Sequence, residues 1–183
     1  MGISSKIKQY FERIKRVSEL QKQYKNIDLR SVSNLKKQKI TFNSSETPKV
    51  SIIIPFYNEE NYTWNCLNYL HRNLTSNYSY EIILIDDNST ENCDFSLING
   101  IKIIKNKENL GFLRNINKGI QIAKGEYIYI LNNDTEVQQD FLDELFYVFK
   151  NFPNVGAVGS KLTNPNGSLQ EAGSLFMKDC NIS

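Results

Sequence analysis

Histidine and tryptophan each occur once in this sequence, and cysteine three times, at Cys66, Cys93 and Cys180. The lone His71 has no Cys, Asp or Glu at ligand spacing beside it, which excludes a histidine-built metal centre and leaves a structural or surface side chain. An odd number of cysteines without metal-like spacing excludes a disulfide framework; free thiols in a reducing, cytoplasmic compartment are expected. No apolar run approaches the roughly 20 residues of a membrane-spanning helix, and Met1–Tyr10 lacks the apolar core of a signal peptide. Glycine is missing where a dinucleotide fold needs it. No G-x-G-x-x-G or Walker pattern follows any candidate strand; after the first stand Pro55, Phe56 and Tyr57. The phosphate grip of a glycine loop is therefore absent.

What the sequence does hold is unevenly placed. Met1–Thr47 carries 11 Lys/Arg against 4 Asp/Glu, and Pro48–Ser183 carries 11 against 16. Ile3, Ile7, Tyr10, Phe11, Ile14, Val17 and Tyr24 recur at helical spacing among lysines and arginines, predicting a basic amphipathic helix. Such a helix either packs on the domain or a partner, or lies on an anionic membrane surface. Ser31–Pro48 is polar and reads as a linker. The expected division is a basic helical extension and linker over 1–47, followed by one domain over 48–183 of the 183 residues.

Three runs organise that domain: VSIIIPFYNE (Val50–Glu59), EIILIDDN (Glu81–Asn88) and EYIYILNNDTE (Glu126–Glu136). Each is a continuous β-branched and aromatic stretch ending in acids and amides, the mark of a buried parallel strand. Helical patterns separate them, giving an α/β fold with a mostly parallel sheet. The spacing predicts strands over Val50–Pro55, Tyr80–Ile85, Ile101–Lys105, Tyr127–Leu131 and Val155–Leu162. It predicts helices over Tyr62–Leu74, with Trp64, Leu67 and Leu70 or His71 inward, and over Val137–Asn151. A third helix, Gly111–Lys124, is expected to turn Leu113, Ile116, Ile120 and Ala123 inward, with Gly125 as its C-cap. Asn164–Gly167 is a turn signal. Gly173–Ser183 gives no reading.

In open α/β sheets a ligand sits outside the carboxyl ends of the strands. Here those ends bring Asn58 and Glu59, Asp86 and Asp87, and Asn132, Asn133 and Asp134 to one edge. Without a glycine loop, a diphosphate is held instead by a divalent cation on hard oxygen ligands. Asp134 is the best such ligand, with Asn132 and Asn133 orienting it or touching phosphate or sugar. Asp87 can accept a hydrogen bond from a base ring N–H, and Tyr57 and Phe56 offer faces for stacking. Singly, each feature has a plain structural reading: Asp86–Ser89 as a turn, Asn132–Asp134 as a helix N-cap, Asn109–Gly111 as a loop. Their joint, ordered occurrence carries the functional signal.

The ordered set VSIIIPFYNE, EIILIDDNST, NKENLGFLRNINKGIQIAKGEYIYILNNDTEV and VGSKLTNPNGSLQEAG resembles the nucleotide-binding half of a family 2 glycosyltransferase of GT-A fold, over about Pro48–Asp179. The last two segments are most similar to its rhamnosyltransferase-like branch. The resemblance implies inverting transfer of a sugar from a UDP- or dTDP-linked donor to a glycan or lipid-linked acceptor in surface polysaccharide synthesis, assisted by Mg²⁺ or Mn²⁺. It implies that Pro55, Tyr57 and Glu59 frame the nucleoside, that Asp87 contacts the base, and that Gly111 and Arg114 approach the donor. Asn132-Asn133-Asp134 occupies the family's D-x-D position, with Asn132 replacing the first acid and Asp134 retained for the metal. Glu171 falls where the donor sugar or acceptor side begins. The general base of the family lies further downstream, so a fragment lacking the acceptor half is expected. The alternative is a non-catalytic remnant, a nucleotide-binding or interaction module. Nucleic acid is not an expected partner; peripheral contact of the basic helix with the inner membrane face is the alternative to its packing on the domain or on a partner.

Overall fold

A computed structural model of the chain describes residues 36–172, apart from Ser76 and Pro165. The predicted basic helix, Cys180 and the stretch from Gly173 onward lie outside the described residues. In chain order the elements are β1 (Ile40–Thr41), β2 (Val50–Phe56), α1 (Glu60–Asn73), β3 (Tyr80–Asp86), β4 (Ile98–Asn99), β5 (Lys102–Lys105), α2 (Phe112–Ile122), β6 (Tyr127–Ile130), α3 (Phe141–Asn151), β7 (Leu162–Thr163) and β8 (Leu169–Glu171). No helix among the described residues is long and apolar enough to cross a membrane.

The central sheet has the order β5-β3-β2-β6, and every pairing in it is parallel. All seven residues of β2 are buried, as a strand covered on both faces requires. Register pairs Ile53 with Ile83 and Ile130, and Phe56 with Asp86. Because all four strands run one way, the ends of β2, β3 and β6 share one edge, as the sequence predicts.

Helices cover both faces. On one, Tyr127 and Tyr129 of β6 meet Phe146 and Phe141 of α3. Phe56 on that face meets Phe95, which stacks on Trp64 of α1. Trp64, Leu67 and Leu70 are buried as expected. His71 is exposed and sets its ring edge-on to Phe42 at 5.4 Å, a structural role.

On the other face lies α2, rotated from its expected setting. Ile116 is buried, but Leu113 is 70% and Ile120 40% exposed, while Asn115 and Gly119 turn inward. The reason is close approach: a Cβ on Gly119 would stand 2.5 Å from Ile85 Cδ1 and 2.7 Å from Ile53 Cγ2. Gly125 is not the C-cap, which is Ala123. Gly125 instead lies against β2, where a Cβ would meet the Ser51 backbone nitrogen at 2.5 Å. Its N–H donates to Ser51 Oγ, which donates in turn to the buried Glu81.

Two further expectations change. Ser31–Pro48 is not a bare linker over its later part. Ile40 and Phe42 are buried, and β1 pairs parallel with β4. Lys37 is ion-paired with Glu60 and lies over the Trp64 ring. Val155–Leu162 is not a strand. Only Leu162–Thr163 forms a strand, in an antiparallel pair with β8, and the Gly167 N–H donates to the Asn164 carbonyl at 2.8 Å. Gly156 and Gly159, each with open space where a Cβ would stand, weaken strand formation between Val155 and Lys161.

Candidate functional site

Beyond β2 the backbone turns sharply. Asn58 and Glu59 hold φ of 54° and 52°, a left-handed pair that costs of order 1–3 kcal/mol per non-glycine residue. The turn leaves Tyr57 44% exposed and puts Glu59 immediately before α1. Phe56, by contrast, is buried with its ring edge-on to Phe95, so Tyr57 carries the exposed stacking face.

Beyond β3, Asp86 and Asp87 separate in role. Asp86 closes the turn: its Oδ1 accepts the Ser89 N–H at 2.6 Å and its Oδ2 faces Lys105 Nζ at 3.3 Å. Asp87, also buried, reaches across to the start of α2. Its Oδ1 accepts Asn106 Nδ2 at 2.8 Å and the Leu110 N–H at 2.9 Å, and its Oδ2 accepts the Gly111 N–H at 2.8 Å. Asn106 also donates to Asn115 Oδ1, and Asn115 donates to the Ile85 carbonyl. Lys118 Nζ supplies the remaining donor to Asn106 at 3.1 Å. Gly111, at φ 76°, adopts the left-handed region glycine favours.

Beyond β6, the segment from Asn132 to Val137 rests on α1. Asn133 Nδ2 donates to Thr63 Oγ1 at 3.0 Å, Asn65 Nδ2 to Glu136 Oε1 at 2.7 Å, and Asn73 Nδ2 to the Val137 carbonyl at 2.9 Å. Cys66, 1% exposed, sits beneath with Sγ 3.6 Å from the Asn132 carbonyl. Burial, and then the negative charge of Asp134, push its thiol up to about 12, so it is protonated and unreactive at neutral pH. The expected N-cap role of Asn132–Asp134 does not arise, because α3 begins only at Phe141.

These three ends enclose a cleft of about 310 Å³. Pro55, Phe56 and Tyr57 line it from β2, Asp87 from β3, and Asn132, Asn133 and Asp134 from β6. An adjoining hollow adds Glu59 and Tyr62 beside Asn133 and Asp134. Of the predicted residues, Gly111 adjoins through its bond to Asp87. Arg114 is exposed on the first turn of α2 and is not among the lining residues. Glu171 is exposed on β8. Phe112 and Asn115 line the cleft without having been singled out. Asn115 looked like any polar helix residue, and only the rotation of α2 brings it inward.

The donor set suits a hard divalent cation. Asp134 is exposed on the cleft and makes no hydrogen bond or ion pair among the described residues, and the carboxamide oxygens of Asn132 and Asn133 stand beside it in sequence. No group of three or more His, Cys, Asp or Glu capable of holding an ion occurs among the described residues.

The family model for glycosyl transferase family 2 matches residues 51–176. Over 103 residues the chain is 32% identical to "Glycosyltransferase GlyG" of Streptococcus pneumoniae serotype 4, covering 53% of this chain and 34% of that one. It is 35% identical over 133 residues to "O-antigen biosynthesis protein RfbC" of Myxococcus xanthus, covering 69% and 10%. It is 36% identical over 104 residues to "Poly(ribitol-phosphate) beta-glucosyltransferase" of Bacillus spizizenii, covering 51% and 16%. The matched stretch spans about a third of the first relative's length and less of the other two.

Proposed function

The chain belongs to glycosyl transferase family 2, and on that premise we propose that it forms the donor-binding part of an inverting glycosyltransferase. The reaction moves a sugar from a UDP- or dTDP-linked donor to a glycan or lipid-linked acceptor in cell-surface polysaccharide synthesis. The names of the O-antigen and poly(ribitol-phosphate) relatives support the acceptor class. The observation that carries the reading is the cleft, where an exposed aromatic ring, a buried carboxylate and an Asn-Asn-Asp run converge at one sheet edge.

In this reading Tyr57 stacks on the base, with Pro55 and Glu59 framing the nucleoside. Asp87 has a lone-pair position left after its three N–H partners, since a carboxylate offers about four, and accepts the base ring N–H. Asn132 and Asn133 hydrogen-bond phosphate or sugar oxygens, and Asp134 holds Mg²⁺ or Mn²⁺. The cation supplies Lewis-acid stabilisation of the charge developing on the leaving diphosphate. Gly111 and Arg114, at the start of α2, lie on the donor side. As the family resemblance implies, we assign the base that deprotonates the acceptor to the family's acceptor-binding part, downstream of the donor-binding residues. We place the protein in the cytoplasm, with the basic residues before Lys36 as the extension that meets the anionic membrane face, since Lys37, Ile40 and Phe42 belong to the domain.

A thermal-shift panel of nucleoside diphosphates and nucleotide sugars, with and without Mn²⁺, tests the assignment. Stabilisation by UDP or dTDP compounds that requires Mn²⁺ supports it. No shift with any of them leaves the family fold as an interaction module without a donor site.

A further inference from the structure

The Tyr57–Glu59 elbow is held by a clamp that the donor site itself does not explain. Its centre is Asn58, one residue from each of two cleft-lining side chains. The Asn58 N–H donates to Ser89 Oγ at 2.7 Å. Its Oδ1 accepts the N–H groups of Thr90 at 2.9 Å and Glu91 at 3.1 Å, and its Nδ2 donates to Thr90 Oγ1 at 3.1 Å. Glu91 returns the contact, its Oε2 accepting the Glu59 N–H at 3.2 Å. One side chain thus ties the end of β2 to a loop more than thirty residues away.

That loop is itself fixed to the end of β3. Asp86 Oδ1 accepts the Ser89 N–H, and Lys105 Nζ donates to the Ser89 carbonyl at 3.2 Å. Asp87 follows Asp86 directly. The clamp therefore sets the position of Tyr57 and Glu59 relative to Asp87, across the gap that a base must enter. Asparagine suits the place twice over. It tolerates the left-handed region better than most residues, and its carboxamide offers donor and acceptor together.

We propose that Asn58 is a positioning residue for the nucleoside side of the cleft, acting through Tyr57 and Glu59 and touching no ligand itself. The proposal rests on the donor-binding reading above. Without the Asn58 side chain, only the backbone N–H bonds to Ser89 Oγ and Glu91 Oε2 hold two successive left-handed residues across the chain. The elbow then relaxes toward ordinary backbone, Tyr57 leaves its place opposite Asp87, and the nucleoside loses its stacking partner while the sheet stays folded.

Three variants of the full chain separate the side chain from the backbone. Asn58→Gly keeps the left-handed conformation without strain but removes the side-chain bonds to Thr90 and Glu91. Asn58→Ala removes the same bonds and opposes the conformation, and Asn58→Asp keeps the acceptor oxygen and the tolerance of positive φ. UDP and dTDP affinities, each measured calorimetrically with Mn²⁺, are expected to fall about tenfold or more in Asn58→Gly and Asn58→Ala, the factor expected from about 1.4 kcal/mol of lost hydrogen bonding. Asn58→Asp should remain within a factor of about three, which corresponds to roughly 0.6 kcal/mol. Amide hydrogen exchange at Thr90 and Glu91 reads the clamp without any ligand. It should accelerate in the Gly and Ala variants and stay near the unmodified rate in the Asp variant. Faster exchange in Asn58→Gly with unchanged nucleotide affinity overturns the positioning role. An unmodified protein that binds neither nucleotide, with exchange behaving as expected, overturns the donor reading and the proposal together.

Discussion

The carboxylate of Asp87 accepts the backbone N–H of Gly111 at 2.8 Å, joining the end of β3 to the N-terminus of α2. With Asn106 and Leu110 as its other donors, it organises the wall of the cleft as well as facing into it. Asp87→Asn replaces an oxygen with an NH₂ that no longer accepts from one of these N–H groups. A charge-assisted hydrogen bond is worth about 1.5–3 kcal/mol. The expected result is a stability loss of that order in denaturant titration, together with weaker nucleoside diphosphate binding that still requires Mn²⁺. Unchanged stability would show that the carboxylate is not the anchor of the 110–111 turn.

Asp134 should behave oppositely. It is exposed and unbonded among the described residues, so Asp134→Asn should change stability by no more than about 0.5 kcal/mol. Its effect belongs to binding. A nucleoside diphosphate placed beside Asp87 and Asp134 meets like charge. Two such charges about 4 Å apart repel by roughly 4 kcal/mol at an effective dielectric of 20. Calorimetric titration in Mn²⁺ and in EDTA should show a strong cation requirement in the unmodified protein and nearly none in the variant. Equal affinity in EDTA and Mn²⁺ for the unmodified protein would refute the metal assignment.

The two glycines packed on β2 give a graded prediction. At Gly119 a new Cβ meets side-chain methyls of Ile85 and Ile53, which give more readily than main chain; at Gly125 it meets the Ser51 backbone nitrogen, which cannot. Overpacking costs about 1–3 kcal/mol, and in the helix it is offset by alanine's advantage of about 1 kcal/mol over glycine. Gly125→Ala should therefore destabilise more than Gly119→Ala, by denaturant midpoint. The reverse order would mean that β2 shifts more readily than its side chains.

The domain boundary is testable by deletion. Ile40 and Phe42 are each no more than 3% exposed, and burying a large apolar side chain is worth about 1.5–3 kcal/mol. A chain beginning at Lys36 is expected to keep both fold and nucleotide binding, whereas one beginning at Asn43 should lose several kcal/mol or fail to fold. Equal stability of the two would place the boundary nearer Pro48.

The sheet and the edge at which its strands end together were legible because β2 and β3 are apolar without interruption and stop abruptly at polar residues. Nothing in Val50–Phe56 or Tyr80–Asp86 competes with that reading. Helix α2 was legible as a helix but not in its rotation. Periodicity weights Leu113 and Ile120 as inward, whereas the contact is decided by Gly119, which has no side chain to register in any pattern. Asn115 and Asn106 follow from that rotation, since their burial depends on partners at Asp87 and Ile85 that are distant in sequence. Ile40 and Phe42 were hidden for a different reason: two apolar residues in a polar stretch are too few to form a period. The clamp at Asn58 was equally invisible, because its partners lie at Ser89–Glu91.

Cys66 turns the underside of the Asn132–Val137 segment into something that can be timed. Its sulfur is sealed between α1 and the Asn132 carbonyl, and its raised pKa removes the thiolate that alkylating reagents attack. Cys93 is half-buried, and peptide mapping separates the label on Cys66 from those on Cys93 and Cys180. A neutral-pH reagent therefore reaches Cys66 only during moments when the segment lifts from α1. Its labelling rate is a clock for the opening of the Asp134 side of the cleft, and a nucleotide that bridges that side should slow the clock without touching the sulfur.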